Sequence, residues 1–380
     1  MKKLISLILA VCMLLSCVAA LADVKETVTG AEALTHDELV ALAQAETGNF
    51  VVYGNTSRIE TAVTAFGELY NITVESSNLK DAEIYTKLEA EVNAGSGADM
   101  VMIQDGAQLT YAMEDGWLVN YVPASVKEFI GEDDLLPLVH QYINKLFIYN
   151  NLGEAVPAVK NVWELTDPAM KGNIIFKNPE SEQVNMNFLI MLTGEEWSAK
   201  LAEAYKVWAD KDIELGEYKN AGYKWIAEFL SNCTFGSSDT TIAEEVSQET
   251  AAGKIGLFVL SKLRSSSVLT DNLTVAQYDA SANGYTVEPF AGFMYPMYAL
   301  VSAAANRPYT AMLFIEYLMT AEGFGPWGKS IGAYSSNVQI PAKEGDLGIE
   351  TWKATLVMED PEYILDNGDE VRTFVSKYIQ

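Results

Sequence analysis

The sequence predicts an α/β protein of two lobes, each a mainly parallel sheet flanked by helices. Three observations carry that expectation. From Asn49 onwards, short apolar runs rich in β-branched residues alternate with stretches of helical periodicity, the pattern of βαβ units. Without its first 22 residues the 380-residue chain keeps 358, more than the roughly 250–300 at which single cores stop growing. No repeat, low-complexity block or Pro/Gly/Ser-rich linker divides it, so the chain is expected to cross between lobes more than once.

The first 22 residues read as a secretory signal. Lys2 and Lys3 give a basic start, Leu4 to Leu15 an apolar run, and Ala20-Leu21-Ala22 a small-residue cleavage site, the layout of an export signal. The run is shorter than the about 20 apolar residues of a spanning helix. Leu14-Leu15-Ser16-Cys17 offers a second processing route, lipidation of Cys17, although Leu15 stands where a small residue is usual. Either route places the mature chain outside the cytoplasmic membrane, periplasmic or on the membrane's outer face. Residues 23–45 then read as an N-terminal arm or tether, helical in part from Thr35 to Gln44.

Each later element has its own signal. Asn49–Tyr53 is a β-branched strand, halted at Gly54-Asn55-Thr56-Ser57-Arg58, and Ile59, Val63, Phe66 and Leu69 mark the helix that follows. Ile72–Val74 is a strand, Tyr85, Leu88 and Val92 lie on a helix ended by Gly95-Ser96-Gly97, and Asp99–Ile103 is a buried strand. Lys145–Tyr149, Asn173–Phe176, Gly256–Leu260 and Tyr298–Ala303 read as further strands. Helices are expected around Trp163–Leu165, Phe188–Leu192, Trp197–Lys211, Tyr223–Ser231 and Tyr309–Met319, and one opens at Gly236–Thr241 with capping residues and an acidic first turn.

Composition removes several function classes. Loss of Lys2 and Lys3 takes the formal charge from −27 to −29, with 52 acidic residues remaining. Such a chain repels nucleic acid and anionic head groups, which need basic patches. Of three cysteines, Cys12 and Cys17 lie in the signal and Cys233 stands alone, so cleavage after Ala22 leaves no intrachain disulfide. Two histidines, His36 and His140, are too few for a histidine metal site, and neither metal nor cofactor is expected.

In open α/β sheets ligands bind outside the carboxyl ends of the strands. Loops 54–58, 104–106 and 177–181 occupy such ends, and loop 236–241 adds free N–H groups at a helix start. The candidate ligand-binding residues are therefore Asn55, Thr56, Ser57, Arg58, Asp105, Asn178, Glu180, Ser181, Ser237, Ser238 and Asp239. Short hydroxyl, amide and acid groups suit hydrogen bonding to a polar solute. Arg58 is one of four arginines and directly follows a strand end, where a guanidinium can pair bidentately with a carboxylate or phosphate. With the N–H groups near Ser237 and Ser238 it would form an anion clamp; the alternative is an ordinary surface ion pair. Asp105, Glu180, Glu182 and Asp239 favour a cationic or zwitterionic solute if they face the ligand, and carry no information if they cap helices. Tyr295, with Tyr298, Trp327 and Tyr334, offers an aromatic face or else core packing, and Tyr295 is the preferred aromatic candidate.

The order of segments resembles a known family. Val51-Val52-Tyr53-Gly54, Ala98-Asp99-Met100-Val101, Gly116-Trp117-Leu118, Ala252-Gly253-Lys254-Ile255-Gly256-Leu257 and Phe314-Ile315-Glu316-Tyr317-Leu318 each match a family segment. The most specific stretch is Trp163-Glu164-Leu165-Thr166-Asp167-Pro168-Ala169-Met170-Lys171-Gly172-Asn173-Ile174. Together they resemble the extracellular solute-binding proteins of ABC importers, in the branch of ferric-iron, thiamine, sugar-phosphate and polyamine binders, over most of residues 48–335.

That resemblance implies the type II periplasmic-binding-protein architecture. Lobe 1 would take 46–145 plus 290–335 and lobe 2 would take 146–289 plus 336–380, with crossovers near Lys145–Asn150 and Val287–Phe293 and a hinge that closes on solute. It implies a non-enzymatic monomer that captures a small polar organic solute in an interlobe cleft and hands it to a membrane permease with its ATPase. Ferric-iron members usually carry adjacent tyrosines just after the strand that here reads Ile255-Gly256-Leu257, and this chain has Phe258-Val259-Leu260-Ser261-Lys262 instead. A ferric-iron or metal-chelate binder is thus the alternative within the family. A secreted hydrolase is the alternative outside it.

Other motifs are set aside. Gly323-Phe324-Gly325-Pro326-Trp327-Gly328 matches a dinucleotide fingerprint but follows a helix and contains a proline, so a loop is expected there. Ser77-Asn78-Leu79-Lys80 lacks its companion motifs. No G-x-S-x-G or H-E-x-x-H occurs, and His140 is read as structural.

Overall fold

The computed structural model describes residues 24–152, 159–264, 273–276 and 286–379. The signal segment, with Cys17 and Ala22, lies outside the described residues. The chain divides into two compact units: unit 1 holds the described residues up to Tyr142 with Pro296–Lys329 and Tyr334–Pro341, and unit 2 holds Ile143–Tyr295, Ser330–Ala333 and Ala342 onwards. The chain therefore passes from one unit to the other within strands, at Tyr142/Ile143 and Tyr295/Pro296.

Unit 1 begins with the N-terminal arm, which is packed rather than loose. Helix α1 (24–31) buries Val24, Val28 and Ala31, one face of a helical repeat. Helix α2 (His36–Ala45) starts with a Thr35–Glu38 capping box and buries Leu39 and Ala43. At its far end Arg307 donates to the carbonyls of Ala43 and Gly48 (3.1 and 2.7 Å), satisfying groups a helix end leaves open. Glu46 accepts from the N–H groups of Tyr309 and Thr310 (3.0 and 2.9 Å). These contacts replace the expected tether.

Strand β1 (Phe50–Gly54) follows, then helix α3 (Arg58–Tyr70), whose buried Ile59, Ala62, Val63 and Phe66 form its core face. Strand β2 (Val74–Asn78), helix α4 (Asp81–Ala94), the fully buried strand β3 (Met100–Ile103), helix α5 (Gly106–Glu114) and strand β4 (Leu118–Val119) complete the first pass. β1 runs parallel to both β2 and β3. Strand β5 (Val139–Asn150) is far longer than the Lys145–Tyr149 expected from sequence, and it carries the chain into unit 2.

In unit 2 the Trp163 stretch forms a tight corner over Val162–Thr166. Trp163 Nε1 donates to the Leu201 carbonyl (2.8 Å), Trp225 Nε1 to the Val162 carbonyl (3.0 Å), and Asn232 Nδ2 to those of Leu165 and Asp167 (2.9 and 2.8 Å). The most recognisable sequence segment is thus a packed structural corner. Strand β6 (Ile174–Lys177) leads to helices α6 (Gln183–Leu192), α7 (Glu195–Ala209) and α8 (Ala221–Asn232), strand β7 (Cys233–Gly236), helix α9 (Asp239–Val246) and strands β8 (Ile255–Val259) and β9 (Leu273–Val275). β6 is parallel to β7 and β8, and β5 is antiparallel to β8, so the strand order here is β5-β8-β6-β7.

Strand β10 (Gly292–Ser302) returns the chain to unit 1, where it pairs antiparallel with β3. Gly292 is required at its start: φ is +150°, and a Cβ would lie 2.0 Å from the Lys145 carbonyl oxygen. Helices α10 (Pro308–Leu318) and α11 (Ala321–Gly328) follow. The latter corrects the loop expected at 323–328. Thr320 caps it by accepting from the Gly323 N–H, and Phe324 and Trp327 are both 1% exposed. Burial of those two rings on one face outweighs the presence of Pro326. Strand β11 (Ala333–Ser335), helix α12 (Ile349–Thr355), strand β12 (Val357–Met358) and helix α13 (Pro361–Val375) end the chain. Among the described residues no helix is long and apolar enough to cross a membrane.

Asp99 ties β1 to the start of α10. Its Oδ2 accepts from the Val51 N–H (2.8 Å) and its Oδ1 from those of Asn306 and Arg307 (2.7 and 2.8 Å). Burial pushes this carboxyl up to about 6 against the pull of those donors. A folded value above the unfolded one means that the folded state holds the proton more tightly, so stability falls as pH rises from about 4 to about 6. Asp99→Asn is expected to flatten that slope. It should also cost about 1–3 kcal/mol at pH 7, because one donor loses its acceptor. Urea unfolding at pH 4.5 and 7 reads both effects.

Candidate functional site

The strand-end loops of unit 1 are held together by one aspartate. Asp81 Oδ1 accepts from Asn55 Nδ2 (2.8 Å) and its Oδ2 from the Gln104 N–H (3.4 Å), joining the loop after β1 to the loop after β3. Asn55 also donates its N–H to the Met102 carbonyl (3.3 Å). Thr56 Oγ1 accepts from the Arg58 N–H (3.3 Å), and Ser57 is exposed and makes no side-chain cap. Asp105 is a helix cap: its carboxylate accepts from the Gln108 N–H (3.3 Å), and its carbonyl from the Tyr85 hydroxyl (3.1 Å).

Two polar groups in these loops are uncommitted. Asn55 Oδ1 is buried without a hydrogen-bond partner. The half-buried Arg58 guanidinium has no ion-pair or hydrogen-bond partner among the described residues. A buried acceptor without a donor is costly unless something occupies it.

The loops of unit 2 are organised differently. Asn178 accepts from the Glu180 N–H (2.8 Å) and, through its carbonyl, from Ser181 (3.1 Å), while its own N–H reaches the Gly236 carbonyl (3.3 Å). That last bond joins the loop after β6 to the loop after β7. Glu180, Ser181 and Ser237 are exposed. Ser238 caps α9, taking the Thr241 N–H (3.1 Å) on its Oγ.

Asp239 is 7% exposed and belongs to a buried cluster of four charges. Lys145, with no exposed surface, places Nζ 3.3 Å from Glu182 Oε1, 3.4 Å from Asp239 Oδ1 and 2.8 Å from Asn185 Oδ1. Lys177 pairs with Glu182 and, at 3.3 Å, with Asp239 Oδ2. Asp239 further accepts from the Val259 N–H (3.2 Å). Burial works against both carboxylates, but the charges of Lys145 and Lys177 outweigh it and hold Glu182 and Asp239 below their ordinary range. Lys177 is likewise raised, because Asp239 and Glu182 overcome its burial. Tyr295 is 3% exposed beside this cluster, its ring centroid 5.9 Å from Lys145 Nζ and 6.0 Å from the Phe293 ring.

The structure therefore gathers Asn55, Thr56, Ser57, Arg58 and Asp105 in unit 1, and Asn178, Glu180, Ser181, Ser237, Ser238, Asp239 and Tyr295 in unit 2. Of the four acids left open, Asp105 caps α5, Glu182 and Asp239 face lysines, and Glu180 is exposed without an ion pair among the described residues. The N-terminus of α9, expected as half of an anion clamp, carries the protein's own Asp239 carboxylate. Tyr298, Trp327 and Tyr334 are core residues at 4%, 1% and 2% exposure. Sequence reasoning missed Asp81, Lys145, Lys177 and Asn185. The available signal was a lysine inside an apolar strand, Lys145 before Leu146-Phe147-Ile148. Among the described residues no group of three or more His, Cys, Asp or Glu could hold a metal ion.

A family model described as bacterial extracellular solute-binding protein matches residues 61–355. No curated protein matches the sequence. Solved structures do match in fold. The ferric binding protein from Campylobacter jejuni aligns at 15% identity and a TM-score of 0.64, covering 87% of this chain and 99% of that one. The periplasmic binding protein AfuA from Actinobacillus pleuropneumoniae, solved with fructose-6-phosphate, aligns at 16% and 0.63, covering 87% and 98%. AgtB from A. tumefaciens, solved with agropinic acid, aligns at 13% and 0.59, covering 88% and 99%. All three are periplasmic-type binding proteins of mixed α/β fold, the architecture expected from sequence.

Lys145→Met leaves two buried carboxylates with one ammonium. It should cost about 3–5 kcal/mol, the usual penalty for stranding a buried charge. The stability that Glu182 and Asp239 contribute is present above the unfolded carboxylate values and lost as pH falls through their lowered folded values. Removal of Lys145 raises those folded values, so acid unfolding should begin at higher pH in the variant. Circular dichroism across a pH titration checks the direction.

Proposed function

The chain belongs to the family of bacterial extracellular solute-binding proteins, and on that footing we propose that its solute is a small polar organic molecule bearing an acidic group. Proteins of this family work outside the cytoplasmic membrane, capturing solutes for ABC importers. The observation that carries the finer reading is the pair of uncommitted groups in unit 1. A guanidinium at Arg58 with no partner among the described residues and an orphaned acceptor at Asn55 Oδ1 suit a carboxylate or phosphate that also carries a hydroxyl or N–H donor. Fold neighbours solved with fructose-6-phosphate and agropinic acid hold solutes of that general kind. The chain releases its solute unchanged to a permease and ATPase, acts as a monomer, and is not an enzyme.

An organic solute is favoured over bare ferric ion, although a neighbour in fold is a ferric binding protein. Ferric ion takes hard, anionic donors, and the segment Phe258-Val259-Leu260-Ser261-Lys262 supplies no tyrosine. The two processing routes predict different anchoring: cleavage after Ala22 frees the chain, and lipidation at Cys17 ties it to the membrane. The mass of the mature N-terminus distinguishes them.

A thermal-shift screen of refolded protein against sugars, sugar phosphates, organic acids, amino acids, polyamines, thiamine and ferric salts tests the reading. One acidic organic solute should raise stability by about 2.7 kcal/mol at a hundredfold excess over Kd. No shift with any solute would count against solute binding, and turnover of the solute would place the chain among hydrolases. Arg58→Ala should melt like the parent, because it breaks no ion pair, yet bind that solute about tenfold or more weakly, the worth of one charge-assisted contact. Undiminished affinity in the variant would remove Arg58 from the site.

A further inference from the structure

We propose that the Lys145–Lys177–Glu182–Asp239 cluster makes the unit-2 loops reject anions and admit uncharged, hydrogen-bonding groups. The inference rests on the reading that the strand-end loops hold the solute, and it adds a specificity to that site. Helix N-termini attract anions, because their free N–H groups and aligned dipoles carry about half a positive charge. Two helices start beside the cluster, each with an acid whose carboxylate contacts the lysines rather than the helix's own N–H groups and whose negative charge offsets the dipole there. Glu182 is the residue before α6, and Asp239 is the first residue of α9.

Both lysines are committed in the same way. Each contacts both carboxylates, and two ammonium groups against two carboxylates leave no net charge. Lys145 is beyond the reach of any ligand, with no exposed surface, while the Lys177 side chain is 16% exposed and the Glu182 side chain 14%. A phosphate or carboxylate approaching these loops must therefore displace Glu182 or Asp239, breaking buried ion pairs to make one of its own. A hydroxyl or amide need displace nothing. Of the remaining groups in the loops after β6 and β7, Asn178, Ser181, Ser237 and Ser238 are neutral donors and acceptors suited to it, and the exposed Glu180 carboxylate is a further anion that repels another.

The test removes one internal anion and asks whether an external one takes its place. Inorganic phosphate is titrated, at constant ionic strength made up with chloride, into two full-length proteins: Arg58→Ala and Arg58→Ala with Glu182→Gln. The Arg58 change removes the guanidinium of unit 1 as a source of phosphate binding. Calorimetry should find no saturable uptake by the first protein and saturable uptake by the second. Saturable phosphate binding by the first protein overturns the proposal, as does a folded Glu182→Gln protein that gains none. Should Glu182→Gln fail to fold, Asp239→Asn opens the same position on α9 and carries the same expectation, and the Arg58→Ala arm stands without either. The phosphate readout does not involve the natural solute. A failed solute screen with a positive phosphate gain would sink the solute-binding reading and leave the cluster's role intact; the reverse pattern would do the opposite.

Discussion

A single buried ammonium organises the strand-end loops of unit 2. Lys145 lies in β5 directly before the apolar Leu146-Phe147-Ile148, and it has no exposed surface. A charge in that position is tolerable only with opposite charge and hydrogen bonds around it. Glu182, Asp239 and Asn185 provide them. Because Glu182 lies at the start of α6 and Asp239 at the start of α9, satisfying one lysine fixes where both helices begin. Lys177, at the end of β6, closes the ring and balances the charge. Gly292 makes the arrangement possible on the backbone side, since any side chain there would strike the Lys145 carbonyl.

Unit 1 uses carboxylates toward a different end. Asp99 and Glu46 take the open N–H groups before and at the first turn of α10, and Arg307 returns hydrogen bonds to the end of α2. The arm, the first strand and α10 are thereby locked away from the loops, leaving Arg58 and Asn55 Oδ1 as groups with bonding capacity to spare. Unit 1 thus leaves an open acceptor at Asn55 Oδ1 and, among the described residues, an unpaired guanidinium at Arg58, whereas the two lysines and two acids of unit 2 balance one another within their cluster.

Much of the fold was legible locally. The strands at Phe50, Met100, Ile174 and Ile255 are runs of apolar and β-branched residues, and their periodicity against the helices that follow is visible without tertiary information. The loops at strand ends followed from that pattern. What escaped depends on partners distant in sequence. The four-charge cluster joins residues 145, 177, 182 and 239, and no local spacing announces such a set. The arm looked loose because its anchors, Arg307 and Glu316, lie some 260–280 residues away. Helix α11 was mistaken for a loop because its proline is a local signal, whereas the burial of Phe324 and Trp327 is a tertiary one. For the acids at strand ends the sequence left facing a ligand and capping a helix both open, because such residues serve the backbone as readily as a solute; Asp105 caps a helix, and Glu182 and Asp239 pair with lysines.

In the proposed function each chain takes up one intact organic solute and does no chemistry on it. Native mass spectrometry of the refolded, full-length protein after incubation with a mixed pool of acidic and neutral polar solutes measures this directly. The account predicts a single added mass per chain, equal to one acidic organic member of the pool and recovered unaltered on denaturation. An added mass equal to ferric ion alone, a solute recovered in altered form, or no added mass at all would contradict it.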